Sequence, residues 1–130
     1  MEIVSISLDK ETLDELNSIQ RNLGFKSRSK MIRATIDSLM NEFRIIDSLK
    51  GKHEVVLLVT YREHERDRVS EILHKFEDSI KTTIHKHRSS RCLDIIEVDA
   101  DATKLRELFG ILKRNKYIKS VNFTLLGGET

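Results

Sequence analysis

The chain has only one cysteine, Cys92, and it has no long apolar run and no N-terminal signal pattern. A single cysteine excludes an intramolecular disulfide, which favours a reducing compartment over secretion. No apolar stretch approaches the roughly 20 residues that a membrane-spanning helix needs. We therefore expect a cytoplasmic protein that does not enter a membrane.

Neither sign of charge dominates, because 23 lysines and arginines stand against 21 aspartates and glutamates, for a formal net charge of +2. Overall charge therefore does not identify a nucleic-acid-binding protein, and the distribution of charge must decide. Residues 26–33, KSRSKMIR, form a basic patch without an acidic residue. Catalytic patterns are absent as well: Glu63, Glu65 and Asp67 have no paired base, nucleophile or glycine loop, so we predict that the protein is not an enzyme.

The start of the chain has the pattern strand, helix, helix. Side chains alternate along residues 3–8 with the period of a half-buried strand. The first helix is expected to begin after Asp9 and to end at Gly24, and the second to begin at Ser27 or Ser29. A lone strand leaves both edges unpaired, so we expect it to pair with the same strand of a second chain.

This order of elements, with small polar residues on one strand face, resembles the ribbon-helix-helix DNA-binding domain over about residues 1–46. In that family two chains form an antiparallel ribbon that enters the major groove of double-stranded DNA. The resemblance implies base contacts from alternate ribbon residues, Ile3, Ser5 and Ser7. It implies phosphate contacts from the start of the second helix, Ser27, Arg28, Ser29 and Lys30. The alternative is an ordinary dimerisation arm beside a solvated basic patch.

A second domain is expected over residues 55–130. It follows a linker at residues 47–54, which lacks the helical spacing of apolar residues seen before it. The predicted elements are a strand at 55–61, a helix at 63–77, strands at 79–87 and 92–99, a helix at 102–114 and a strand within 117–126. The order βαββαβ is the ferredoxin-like arrangement, with both helices on one face of a four-stranded sheet. The whole chain is thus predicted to be α+β. The apolar first strand indicates that another subunit covers the second face.

Residues 84–93, IHKHRSSRCL, bring two histidines and the cysteine close together in the sequence. His85 and His87 lie two apart on a predicted strand and share one face. Because Ile80 and Ile84 are assigned to the opposite face, we expect both imidazoles to face away from the domain's own core. A tight turn returns the chain so that its cysteine lies beside the strand end.

His74 projects away from the apolar stripe of the preceding helix. If the sheet faces of two chains pack together, His74 could complete the site of a neighbouring chain, although a solvated surface histidine is the plainer interpretation. Three imidazoles and a thiolate suit Zn(II), Ni(II) or Cu(II), and the residues alone do not choose among them.

A ribbon-helix-helix pattern followed by a βαββαβ domain with YREHERDR, His74, His85-x-His87 and Cys92 resembles the nickel-responsive transcriptional repressors of bacteria and archaea. The resemblance covers essentially the whole chain. It implies an ACT-type regulatory domain and a homotetramer, a dimer of dimers with a DNA-binding dimer at each end. It also implies one Ni(II) per chain in square-planar geometry, bound by His85, His87 and Cys92 of one subunit and His74 of another. The implied function is nickel-dependent repression of nickel uptake through operator binding at a promoter.

Other functions remain open at this point. One is a metal-buffering or metal-sensing protein without sequence-specific DNA binding, which the basic patch argues against. Another is an ACT-type regulator of a small organic ligand, which the ligating pair His85 and His87 argues against. The chain also departs from some members of the resembled family at Lys30 and Ala34, where those members have acidic residues that hold a second cation.

Overall fold

Helical structure begins at Lys10 in the computed structural model, which describes residues 1–128 of the chain. The chain divides into two compact units, Met1–Arg44 and Ile45–Thr130. The end of the predicted regulatory domain, residues 129 and 130, lies outside the described residues. The elements are α1 (Lys10–Leu23), α2 (Arg28–Ser48), β1 (Lys52–Arg62), α3 (Arg66–His74), β2 (Ile80–Arg88), β3 (Arg91–Asp101), α4 (Ala102–Arg114) and β4 (Ile118–Gly128).

Residues 1–9 form no strand in the single chain, contrary to the prediction for residues 3–8. Their apolar side chains are exposed, and Ile3 is 94% accessible. A β-strand is defined by its hydrogen bonds to a neighbour, and these residues have no neighbouring strand within their own chain. A strand at these residues would need a partner strand from outside this chain.

Capping side chains or a permissive backbone mark both ends of α1 and the start of α2. Asp9 accepts a hydrogen bond from the Thr12 N–H at 2.7 Å, and Gly24 ends α1 with φ of +73°. Ser27 Oγ accepts from the Lys30 N–H at 3.1 Å. Ser27, rather than Ser29, is thus the residue that caps α2.

Residues 47–54, predicted as a linker, are mostly ordered in helix and strand. The α2 helix continues to Ser48, and β1 begins at Lys52. Leu49 is buried in the core of the second unit, and its carbonyl accepts a hydrogen bond from Arg106 Nη1 at 3.1 Å. The guanidinium satisfies carbonyls that a helix end would otherwise leave unpaired, which explains why the polar stretch is ordered.

The four strands of the second unit form one antiparallel sheet in the order β2-β3-β1-β4. This confirms the predicted ferredoxin-like topology and the α+β class. Burial alternates along β1 and β3, and the buried face packs with α3 and α4 in one core. The largest fully buried side chains are Val55, Val59, Val69, Ile96, Val98, Leu108 and Leu112. None of the helices within residues 1–128 is long and apolar enough to cross a membrane.

A bulge in β2 reverses the predicted orientation of the histidines. Ile80 lies opposite Val98, but Thr82 lies opposite Glu97, so the strand gains a residue at this point. As a result Ile80 packs against the core while Ile84 is 50% exposed on the other face. The prediction that both isoleucines share a face was wrong. His85 and His87 therefore lie on the face that the helices cover.

Candidate metal centre and DNA-binding residues

The hairpin of β2 and β3 places the predicted metal ligands in adjacent cross-strand rows. His85 lies opposite Asp94, and His87 lies opposite Cys92. Directly opposed residues in an antiparallel pair point to the same side of the sheet, about 4.5–5.5 Å apart at Cβ. Ser89 turns the chain with φ of +56°, which makes the short return possible. Three of the four predicted ligands are thus neighbours on one face of one hairpin.

His85 is held by a buried carboxylate. Its Nδ1 lies 2.6 Å from Asp94 Oδ1, and the Tyr61 hydroxyl donates to Asp94 Oδ2 at 2.7 Å. His85 Nε2 is buried and has no hydrogen-bond partner. A ring whose Nδ1–H donates to a carboxylate has its lone pair on Nε2, which is the tautomer that ligates a metal. The buried, unpaired Nε2 is therefore placed as a metal donor would be.

Tyr61 remains a proton donor in this network. Burial raises the pKa of Tyr61, and the hydrogen bond and negative charge of Asp94 raise it further. The phenol is thus protonated across the physiological range. It satisfies one carboxylate oxygen of Asp94 and leaves the other oxygen for the imidazole.

His87 and Cys92 lie beside a carboxylate from another segment. Glu63 Oε2 is 3.3 Å from His87 Nε2, and the Glu63 N–H donates to the Ser90 carbonyl at 2.8 Å. Cys92 is a free thiol that is only 2% exposed. Burial raises its pKa, the charge of Glu63 raises it further, and Arg66 acts in the opposite direction. The pKa of Cys92 is raised on balance, which favours the thiol form.

His74 lies at the last residue of α3 and is exposed, with 75% of its side chain accessible. Its Nδ1 is 3.0 Å from Glu77 Oε2. The side chain lines a hollow of about 370 Å³ that His85 and Asp94 also line, so all three lie on the helix-covered side of the sheet. Within residues 1–128 of one chain, no three histidine, cysteine or carboxylate side chains are placed to hold one ion.

The predicted DNA-binding residues differ in whether their side chains already form hydrogen bonds within the chain. Ser27 is used as the α2 cap, and Arg28 Nη2 donates to Asn17 Oδ1 at 2.8 Å. Ser29 and Lys30 follow in the first turn of α2 and are exposed. Ile3, Ser5 and Ser7 are exposed in the segment without secondary structure. The single chain thus leaves the alternate residues of the ribbon accessible.

Two family models together match nearly the whole chain. Residues 2–40 match a ribbon-helix-helix protein of the copG family, and residues 55–126 match the C-terminal nickel-binding domain of the nickel-responsive regulators. The chain is 34% identical over 135 residues to a protein of Methanocaldococcus jannaschii named "Putative nickel-responsive regulator", covering 99% of this chain and 96% of that protein. The chain belongs to the nickel-responsive regulator family.

A second relative leads to the same family. A protein of Methanothermobacter thermautotrophicus named "Putative nickel-responsive regulator 2" is 30% identical over 130 residues, covering 97% of this chain and 93% of that protein. The resemblance inferred from the sequence is thereby confirmed. A family of transcriptional regulators is not a family of enzymes, in agreement with the sequence-based prediction.

The fold of the second unit also occurs in a solved structure. An uncharacterized protein of Thermotoga maritima superposes with a TM-score of 0.54 at 19% identity, covering 58% of this chain and 99% of that protein. At this identity the likeness concerns the fold alone. It shows that the sheet and its helices recur without the first unit.

Asp94, Tyr61 and Glu63 were not recognised as site residues from the sequence. Asp94 had a usable signal, because it follows Cys92 by two positions and therefore shares its strand face. An aspartate at an inward position of an apolar strand needs a buried partner. Glu63 had no such signal, since its approach to His87 depends on the path of the chain after β1.

Proposed function

We propose that this chain is a nickel-dependent DNA-binding repressor that acts in the cytoplasm on double-stranded operator DNA, with nickel uptake as the repressed process. The main support is His85, whose Nε2 is buried and unpaired while Asp94 holds its Nδ1. Ligating histidines usually have their second nitrogen held in this way. Nickel is the metal in the names of the relatives.

The ligands in this proposal are His85, His87 and Cys92 of one chain and His74 of a second chain, with one Ni(II) per chain. Two or more imidazoles and a thiolate suit a borderline transition metal such as Ni(II). Bound there, Ni(II) would supply positive charge that stabilises the thiolate of Cys92 and would join donors from two subunits.

The position of the histidines supports a particular pairing of the regulatory domains. Since β2 is an edge strand, pairing of β2 with β2 of a second copy would extend the sheet and keep the helices of both copies on one side. The neighbour's His74 could then approach His85 and His87. Packing of sheet faces, which we had expected from the sequence, would leave the neighbour's α3 on the far side of its sheet.

Pairing through the ribbon and pairing through the β2 edge involve different parts of the chain. Each chain can therefore have one partner in the DNA-binding dimer and another across the metal centre, which produces a homotetramer built as a dimer of dimers. Metal bound across the edge would favour one arrangement of the chains, and DNA would bind that arrangement more tightly. This is the proposed basis of nickel-dependent repression.

The test of the proposal is DNA binding as a function of Ni(II). Duplexes selected from a random library by the Ni(II)-loaded protein would serve as operators, and binding would be measured with and without metal. We expect at least about a 10-fold gain in operator affinity on adding one equivalent of Ni(II) per chain. Equal affinity in both conditions would contradict the proposed coupling.

The ribbon and the second helix are expected to contribute differently to DNA binding. Ser5→Ala or Ser7→Ala should reduce discrimination between the selected operator and mixed-sequence DNA by about fivefold, because the hydroxyls face base edges. Lys30→Ala or Arg28→Ala should weaken binding to both duplexes alike and lower the salt dependence, because phosphates carry no sequence information. Lys116→Ala, in the regulatory domain, is the matched control. Full discrimination in both serine variants would exclude the ribbon as the reader.

Asp94 is expected to act as a positioning residue for His85. Asp94→Asn should weaken Ni(II) binding by about 10–100-fold, because an amide holds the ring less firmly and does not increase its basicity. Tyr61→Phe should have a smaller effect, since the carboxylate still contacts the ring. Competition with a chelator gives the affinities, and thermal unfolding of the metal-free variants tests their folding. A folded Asp94→Asn protein with unchanged affinity would remove His85 from the ligand set.

A further inference from the structure

The end of α2 is part of the regulatory domain. The helix spans Arg28–Ser48, whereas the boundary between the two compact units follows Arg44, so the last turn of α2 belongs to the second unit. Ile46 and Leu49 are 5% and 8% exposed and lie in the core of that unit. We call residues 46–51 the α2 anchor. A single helix therefore carries the proposed phosphate contacts at its start and a core residue of the metal-binding domain at its end.

Carbonyl groups of the α2 anchor accept hydrogen bonds from α4. Carbonyls at the end of an α-helix have no partner within the helix, and leaving them buried and unpaired costs free energy. Arg106 Nη1 donates to the Leu49 carbonyl at 3.1 Å and to the Ile46 carbonyl at 3.5 Å. The Gly51 carbonyl accepts from the Ala102 N–H at 2.8 Å. The first turns of α4 thus hold the chain at the point where α2 ends.

Arg106 suits this position by its charge as well as by its geometry. It lies four residues after Ala102, on the same face of α4. The carboxyl end of a helix carries partial negative charge, which a guanidinium group stabilises. Each terminal nitrogen of that group bears two N–H donors, so Nη1 alone can serve two carbonyls. Both hydrogen bonds are partly buried, which limits competition from water. Arg106 therefore fixes the path of the chain between α2 and β1.

Strands β1 and β3 connect the α2 anchor to the candidate metal centre. β1 begins directly after the anchor at Lys52, which lies opposite Asp101 at the end of β3. At the other end of the same pair of strands, Tyr61 lies opposite Cys92. At about 3.3 Å per residue, Cys92 and Asp101 are roughly 30 Å apart along β3. Since α4 follows β3 without a loop, the anchor and the metal centre lie at opposite ends of one pair of strands.

We propose that Arg106 is a positioning residue for DNA recognition, because it makes the end of α2 move as part of the metal-binding domain. The inference rests on the proposed function and adds the side chain through which the metal-bound arrangement of chains acts on the DNA-binding dimers. While Arg106 holds the carbonyls of Ile46 and Leu49, a fixed arrangement of the regulatory domains also restricts where the two ribbons lie. Without those hydrogen bonds the last turn of α2 frays, and operator binding must order it again.

An arginine that only stabilised the fold would behave differently. Its loss would lower the amount of folded protein and so weaken binding to every duplex alike. The positioning role instead predicts a selective loss. A duplex with both half-sites requires two DNA-binding dimers in one arrangement, whereas a duplex with one half-site requires a single dimer. Only the first duplex should therefore depend on Arg106.

Arg106→Met in the full-length protein tests the inference, because methionine keeps an apolar stem and removes the donors. Arg114→Met, at the last residue of the same helix, is the matched control. Binding to the selected operator and to a duplex with one half-site is measured with and without one equivalent of Ni(II) per chain. In Arg106→Met we expect the Ni(II)-dependent gain in operator affinity to fall from at least about 10-fold to less than about threefold, with unchanged half-site affinity. Arg106→Lys should keep part of the gain, since an ammonium group can still donate to a carbonyl.

Hydrogen exchange tests the α2 anchor directly in the metal-free protein. The Leu49 N–H donates to the Ile46 carbonyl at 3.3 Å, so its exchange reports whether the end of α2 is held. Mass spectrometry of the peptide that contains Leu49 should show exchange at least about fivefold faster in Arg106→Met, and peptides from β1 and β3 should be unchanged. Chelator competition should give the Ni(II) affinity of the natural chain, because the metal ligands lie at the far end of the strands.

The outcomes separate this inference from the proposed function. A natural chain whose operator affinity rises with Ni(II), beside an Arg106→Met chain with the same rise, would contradict the positioning role alone. Unchanged exchange at Leu49 would also overturn it. An equal loss of affinity for the operator and for the half-site duplex would leave Arg106 with a structural role only. If the natural chain showed no Ni(II)-dependent gain, the proposed function would fail and the positioning role would fail with it.

Discussion

Replacing Cys92 with alanine is expected to abolish the thiolate-to-Ni(II) charge-transfer absorption and to weaken Ni(II) binding by more than about 100-fold. The loss should exceed that for Asp94→Asn, because it removes a donor atom rather than a group that orients one. Cys92 is the only cysteine in the chain, so no other thiolate can replace it.

The absorption spectrum and a chelator competition together measure this effect. His64→Ala is the matched control, because His64 is exposed and its ring contacts Glu65 rather than the hairpin. That variant should bind Ni(II) with unchanged affinity and an unchanged spectrum. If the natural protein bound one equivalent of Ni(II) without a thiolate band, Cys92 would not be a ligand.

Mixing two inactive variants is expected to restore a metal centre that neither forms alone. His74→Ala retains the donors of the hairpin, and the double variant His85→Ala with His87→Ala retains His74. Because the proposed site combines the hairpin of one chain with α3 of another, a mixed assembly contains one complete donor set at each interface between unlike chains. Ni(II) binding with the natural spectrum should therefore reappear after the two variants are refolded together.

The control is a mixture of two single variants, one carrying His85→Ala and the other carrying His87→Ala. Both variants retain His74 but each has a defective hairpin, so exchange of chains cannot assemble a complete site. Native mass spectrometry confirms that mixed assemblies are present in both experiments. If mixed assemblies of the first pair bound no Ni(II) with the natural spectrum, His74 and the hairpin would not share a site between chains.

Local sequence signals predicted the helices well, because a helix depends on contacts between residues that are near neighbours in the sequence. Asp9 and Gly24 mark the ends of α1 through a side-chain hydrogen bond and a left-handed backbone. The bulge near Thr82 had no comparable signal. It adds a single residue to one strand, and a shift of one residue moves every later side chain to the other face. The side chains of β2 after the bulge were therefore assigned to the wrong face of the sheet.

The sequence predicted the donor residues of the candidate site but not the residues that contact and position those donors. His85, His87 and Cys92 stood out because imidazole and thiol groups are chemically distinctive and close in the sequence. Tyr61 and Glu63 approach the hairpin from β1 and from the segment after it, a relation that depends on the register between β1 and β3. Registers of this kind arise from packing of the whole sheet, and spacing along the chain does not encode them directly.

The carboxylate of Asp94 also has a consequence for metal capture. It joins a side chain of β1 to one of β2, so the imidazole of His85 is already oriented when the chain folds. The entropy of fixing that ring is lost during folding and not during the encounter with the metal. His87, in contrast, must leave Glu63 before it can ligate. In the proposed metal centre, binding through His85 would therefore need no reorientation of its ring, whereas binding through His87 would first require its separation from Glu63.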